Sequence, residues 1–135
     1  GGGCENMSLT KVLKPADGVE GVVRFVVDTV VAGGSNPCPP LIVGVGLGGS
    51  MEQAAILSKR AILREIGSIN QNRVNAALEE RLLREINASG VGPSGYGGDT
   101  TALAVHVESY PCHIASLPVS VTIQCHAARH KVIEL

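Results

Sequence analysis

Residues 33–55 read GGSNPCPPLIVGVGLGGSMEQAA: a cysteine fenced by prolines, an apolar run, then a run of glycines. Proline fixes its own φ and biases the residue before it away from helix, so Pro37-Cys38-Pro39-Pro40 is expected to be extended. Leu41–Val45 then reads as a short buried strand. The glycines that follow read as a turn, and Ser50-x-x-Gln53 is a capping-box pattern opening a helix that runs to about Arg64. Strand, glycine turn and helix in succession make this stretch the centre of an α/β arrangement.

On the N-terminal side, Asp17-x-x-Glu20 precedes VEGVVRFVVDTVVAGG. Apolar residues at 19, 22, 23, 26, 27, 30 and 31 recur every three to four positions, as in an amphipathic helix, with Gly33 and Gly34 as its stop. On the C-terminal side, Ser68-x-x-Gln71 is a third candidate cap, leading a charged helix that Gly90 closes. VGPSGYGGDT reads as loop, and TALAVHV and PVSVTIQ as strands rich in β-branched residues, joined by SYPCHIASLP. The order α-β-α-α-loop-β-β predicts a mixed α/β domain, a small sheet with packed helices, as one domain over residues 1–135. Three glycines open the chain with no element before them, as expected of a piece of a longer protein or of a subunit completed from elsewhere.

Of the 135 residues, 44% are apolar but only 2% aromatic, so the core must be built from Val, Ile, Leu and Ala. The formal net charge is −1, and no basic stripe or aromatic–basic interleaving is present, which argues against nucleic acid as a partner. Apolar runs are broken well short of a membrane span, and GGGCENMS lacks the basic start and apolar centre of a signal peptide. A cytoplasmic location is the resulting expectation. Reduced thiols or metal ligands are then better readings of Cys4, Cys38, Cys112 and Cys125 than disulfides.

Gly44-x-Gly46-x-x-Gly49 matches the dinucleotide-binding fingerprint, but the acidic residue expected at the end of a following strand is missing, with Glu65 the nearest acid. Close strand–helix packing or generic anion binding is preferred to a nicotinamide cofactor. Cys38 has its backbone restricted on both sides, which suits a ligand that needs a fixed direction, although a lone cysteine is more often an inert buried one. Cys112-His113 and Cys125-His126 suggest zinc by composition. Neighbours in an extended segment point to opposite faces, however, so one member of each pair facing a site is easier than four converging. His126 and His130 could share a helix face. His106 reads as a strand residue with a satisfied hydrogen bond. Asp99-Thr100-Thr101 sits in a polar loop of the kind that touches substrates, or in a solvated turn. Glu79, Glu80, Arg81, Arg84 and Glu85 read as a solvent-facing helix surface with i, i+4 charge pairs and no chemistry.

Taken together, ENMS, LKPADG, NPCPPLIVGVGLGGSMEQAA, GVGPSGYGGDTTALAVHVE, PCHIASLPVSV and IQCHAARH resemble the iron–sulfur hydro-lyases. These are the class I fumarases and L-tartrate dehydratases, and the resemblance is to the C-terminal half of the α subunit of the two-subunit form. It runs in order over nearly the whole chain. The resemblance implies a [4Fe–4S] cluster held by three cysteines, with one iron left open as a Lewis acid toward a 2-hydroxydicarboxylate substrate. It assigns Cys38 and Cys125 as ligands and His113 as a catalytic residue near the substrate. It also implies that the third ligand and the catalytic base lie upstream, in a Cys-Gln-Asp-Thr-Gly-type segment absent here, and that a β-type subunit or domain supplies further substrate contacts. Cys4 stands where the family usually has a small residue such as serine. Its surroundings do not match the missing motif, so it is left outside the ligand set. On this reading the chain is a component of a fumarate hydratase, with L-tartrate dehydratase or a non-catalytic partner-binding fragment as alternatives, and it is inactive without the missing N-terminal segment and the β-type partner.

Overall fold

The computed structural model of the chain describes residues 2–126 and 132–135. Its elements are α1 (Gly2–Glu5), β1 (Leu9–Leu13), α2 (Gly18–Gly33), β2 (Leu41–Gly48), α3 (Met51–Ala61), α4 (Arg73–Ala88), β3 (Ala102–Tyr110) and β4 (Leu117–Gln124). The four strands form one sheet in the order β1-β4-β2-β3. β4 is antiparallel to both of its neighbours, whereas β2 and β3 run parallel, joined through α3 and α4. The expected α/β architecture is the observed one.

Side chains alternate across a strand, and here the alternation sorts two different faces. Val43, Val45, Val105, Val107, Val119, Val121 and Ile123 form the aliphatic face, packed against Val22, Val26 and Val30 of α2 and Leu82 and Ile86 of α4. The other face is mostly small or polar, with Ile42 and Ala104 packed on Ile62 as its apolar patch. It carries Gly44, Gly46, His106, Ser120 and Thr122, and α3 lies directly on it. A Cβ at Gly46 would collide with the Ala54 carbonyl oxygen, and one at Gly44 with that of Ser58. Ser58, fully buried, bonds Thr122 at 2.7 Å and Ser120 at 3.2 Å through side-chain oxygens. Glycine thus removes the side-chain layer between strand and helix, and hydroxyls lock what remains.

Several local expectations change. The first two glycines of the fingerprint lie inside β2, not in a turn; the turn proper is Gly48–Gly49, with φ of 84° and 66°. Pro37–Pro40 bends instead of running extended, with a cis peptide bond between Pro39 and Pro40. Asp17 turns its carboxylate back onto the Lys14 amide at 2.9 Å and leaves the start of α2 uncapped by its side chain. Ser50 precedes α3 in extended backbone and supplies its carbonyl to Ala54, while its hydroxyl caps no described residue. Asn72, not Ser68, caps α4, accepting from Val74 and Asn75. Val19 and Val31, counted in the apolar stripe of α2, are exposed.

Candidate active site

Register fixes which loops meet. Leu9 pairs with Val121, Ile42 with Gln124 and Leu41 with Ala102. The starts of β1, β2 and β3 and the end of β4 therefore share one end of the sheet. Cys4 precedes β1, Cys38 precedes β2 and Cys125 follows β4, so three of the four cysteines gather there. The Cys38 backbone N–H donates to the Cys4 sulfur, and the Cys4 and Cys125 thiols hydrogen-bond one another. Cys4 and Cys125 are each 4% exposed, whereas Cys38 is exposed to solvent. Burial raises the Cys4 thiol above its ordinary pKa, the Cys125 hydrogen bond raises it further, and the Cys38 amide works against both. Ser8 fastens the approach to β1, accepting the Ile123 amide at 3.0 Å.

The loop from Val91 to Thr101 closes over the same end. Asn87 at the end of α4 accepts the amides of Thr101 and Ala102 at 2.8 and 2.9 Å. Thr101, buried, accepts the Gly92 amide at 3.0 Å. A Cβ on Gly95 would stand 3.1 Å from that of Ser35, so the loop lies against the segment leading to Cys38. Asp99 and Thr100 remain exposed. Thr101 is structural, which leaves Asp99 and Thr100 as the members of that triplet able to meet a ligand.

The opposite end carries the other Cys-His pair. Cys112 donates to the Ser116 carbonyl at 3.1 Å, and His113 Nδ1 accepts the Ala115 amide at 3.1 Å; both side chains are exposed. The 8 residues of β4 separate them from Cys125, about 26 Å at the usual strand rise. Cys38 and Cys125 come together, and His113 does not join them within one chain. The four-residue zinc site suggested by composition is ruled out by the same distance. His126 is exposed beside Cys125, and the His126–His130 pair falls partly outside the described residues.

A family model described as "Fumarate hydratase (Fumerase)" matches residues 1–134. The chain belongs to the fumarate hydratase (Fumerase) family. A protein of Methanocaldococcus jannaschii named "Putative L(+)-tartrate dehydratase subunit alpha" is 49% identical over 132 residues, 98% of this chain and 46% of that protein. "L(+)-tartrate dehydratase subunit alpha" of Escherichia coli strain UTI89 is 43% identical over 135 residues, the full length of this chain and 45% of that protein. The K12 protein of the same name is 45% identical over 129 residues. The chain spans a little under half the length of the curated relatives it matches.

Two further groups in this Fumerase-family chain differ in how well sequence foretold them. His106 is as expected: it is 3% exposed on the α3 face, and its Nδ1 lies 3.1 Å from the Ala61 carbonyl, an acceptor that requires the proton on that nitrogen. Burial, followed by the charge of Arg64, lowers its pKa. The reading of Glu79 as a solvent-facing charge is overturned. Its side chain is 10% exposed, and one carboxylate oxygen accepts from Arg64 at 2.5 Å, Asn70 at 2.7 Å and the Val107 amide at 2.8 Å. Val107 lies on edge strand β3, and Asn70 donates to its carbonyl at 2.9 Å, so outward-facing ladder groups are covered by side chains. Arg81 does fit the expected exposed face, paired with Glu85 at i, i+4 and with Glu20 across to α2. Sequence reasoning also set Cys4 aside; the signal that finds it is strand pairing, which a linear motif does not contain.

Proposed function

We propose that the chain is the part of a hydro-lyase α subunit that supplies Cys38 and Cys125 to a [4Fe–4S] cluster, acting on a 2-hydroxydicarboxylate with a β-type partner. One observation carries the reading: two cysteines 87 positions apart in sequence reach the same sheet end, both in contact with Cys4. Thiolates are the donors that iron–sulfur clusters take, so the chemistry of this end fits. Among the described residues no group of three His, Cys, Asp or Glu is disposed around a single metal ion. A multinuclear cluster makes no such demand, because its ligands attach to different irons.

At such a site the cluster would supply Lewis acidity toward the hydroxyl that departs. The chain's own part is to hold two thiolates at fixed positions, bury Cys125 from solvent and present Asp99 and Thr100 on the docked loop beside them. His113 reaches substrate only in a site to which a chain other than the one bearing those thiols contributes it. The family name supports malate and fumarate as the substrate pair; the relatives' names support L-tartrate as the second candidate.

The test is anaerobic reconstitution of this chain with an upstream segment carrying the Cys-Gln-Asp-Thr-Gly motif and with a β-type subunit. Iron, sulfide, and the dehydration of malate and of L-tartrate are then measured. Cluster with turnover of either acid upholds the reading, and the faster acid names the substrate. A clean complex without iron or turnover overturns it in favour of a partner-binding fragment.

A further inference from the structure

We propose that Cys4 is a positioning residue for the cluster: it holds the Cys125 sulfur by an S–H hydrogen bond and thereby tunes the iron that Cys125 ligates. The inference rests on the cluster reading above and assigns a role to a residue outside the ligand set.

Three observations converge on it. The pairing of β1 and β2 with β4 puts Cys4 at the sheet end where Cys38 and Cys125 lie. The Cys38 amide donates to the Cys4 sulfur, and the Cys4 and Cys125 thiols lie within hydrogen-bond reach of one another. Cys4 is also only 4% exposed, so water competes little for its hydrogen bond. The path runs from the Cys38 N–H to the Cys4 sulfur, and from the Cys4 S–H to the Cys125 sulfur. The Cys38 backbone and the Cys125 sulfur are thus tied through one residue. Helix α1 is too glycine-rich to hold this position alone; Lys59, paired with Glu5, and Ser8, bonded to the Ile123 amide, pin the segment that follows Cys4.

The chemical consequence follows from how ligand sulfurs set cluster properties. A hydrogen bond to a ligating sulfur withdraws electron density from it and favours the reduced cluster, so its loss lowers the reduction potential. Serine in place of Cys4 keeps a donor of similar size, whereas alanine removes it.

The experiment uses the assembled protein, with this chain, its upstream segment and the β-type subunit, reconstituted anaerobically in wild-type, Cys4→Ala and Cys4→Ser forms. Iron and sulfide content, the electron paramagnetic resonance spectrum, the midpoint potential and the half-life of cluster absorbance in air are measured. We expect all three to bind equal iron. Cys4→Ala shifts to a more negative potential and bleaches several-fold faster, and Cys4→Ser restores both. If circular dichroism shows Cys4→Ala unfolded, Cys4→Val, which also lacks a donor, replaces it. Identical potential, spectrum and half-life in wild type and the donor-less variant overturn the inference. So does loss of iron in both Cys4→Ser and the donor-less variant, which would make Cys4 a ligand. Failure of wild type itself to take up iron overturns the cluster reading instead, so the two failures are distinguishable.

Discussion

The two ends of the sheet carry nearly the same letters, Cys112-His113 at one and Cys125-His126 at the other, and the fold treats them oppositely. At the Cys125 end, antiparallel pairing delivers two further cysteines, a buried thiol pair and a docked loop. At the Cys112 end, the cysteine and histidine satisfy backbone groups of their own short turn and face solvent. The dipeptide itself therefore says little. What distinguishes a candidate site from a surface turn is how many other strands end beside it.

The largest effect expected tests that contrast directly. In the reconstituted assembly, Cys38→Ser and Cys125→Ser each abolish cluster incorporation, and Cys112→Ser leaves iron and sulfide at the wild-type level. Loss of iron on changing Cys112 alone would erase the distinction between the ends, because no sulfur about 26 Å from Cys125 on the scale of β4 can serve the same cluster.

Between the two ends lies the slab that keeps them in register, and its weakest tolerance is at the glycines. Gly46→Ala would drive a methyl into the Ala54 carbonyl, which belongs to α3 and cannot rotate away as a side chain could. We expect a loss of about 2–3 kcal/mol in chemical denaturation, in the upper part of the usual range for overpacking. Gly67→Ala is the control: a Cβ there meets nothing within 4 Å, and its φ of 87° makes any cost one of backbone strain alone. A tolerated Gly46→Ala would mean that α3 does not seat on β2 as described.

How far these contrasts were legible in sequence depends on whether the cause was local. The 3.6-residue repeat of valines marked α2, and β-branched runs marked β3 and β4, because each pattern reflects one face meeting one core. The close packing of Gly44 and Gly46 was readable as a preference, yet their place inside β2 was not, since glycine signals turns and strand–helix contact with the same letter. β1 went unseen: LTKVL is an edge strand with four exposed residues, so it shows no burial alternation. Glu79 was misread for the reverse reason. Its i, i+4 neighbours look like a surface, but its partners, Arg64, Asn70 and Val107, are set by how the preceding segment folds onto β3. Of the cysteines that gather at the candidate site, Cys38 and Cys125 were singled out in sequence by the family resemblance of their motifs, and Cys4 emerges only from strand order.

Glu79 gives the next effect in size, and it bears on the covered side of the sheet. Glu79→Ala leaves the Arg64 guanidinium and the Val107 amide without their shared acceptor on edge strand β3. A loss of about 2 kcal/mol is expected from stranding such groups. Glu80→Ala, one position along the same helix but exposed, should change stability little. Equal effects from the two would return Glu79 to the solvent-facing role that its spacing suggested.

The smallest effect is a pH dependence on the α3 face. His106 has its pKa lowered from the ordinary 6.5, chiefly by burial. The native state therefore binds its proton less readily than the unfolded chain does. Stability from this group is fully present above the unfolded value and declines as pH falls below about 6.5 toward the folded value, because the unfolded state takes up the proton first. Thermal melts from pH 7.5 down to 5 should show the wild-type midpoint falling more than that of His106→Gln, which cannot titrate and can still donate to the Ala61 carbonyl. Parallel declines would mean that protonation of His106 costs the fold nothing, and that the polar packing of α3 against β2 and β3 tolerates a charge at its centre.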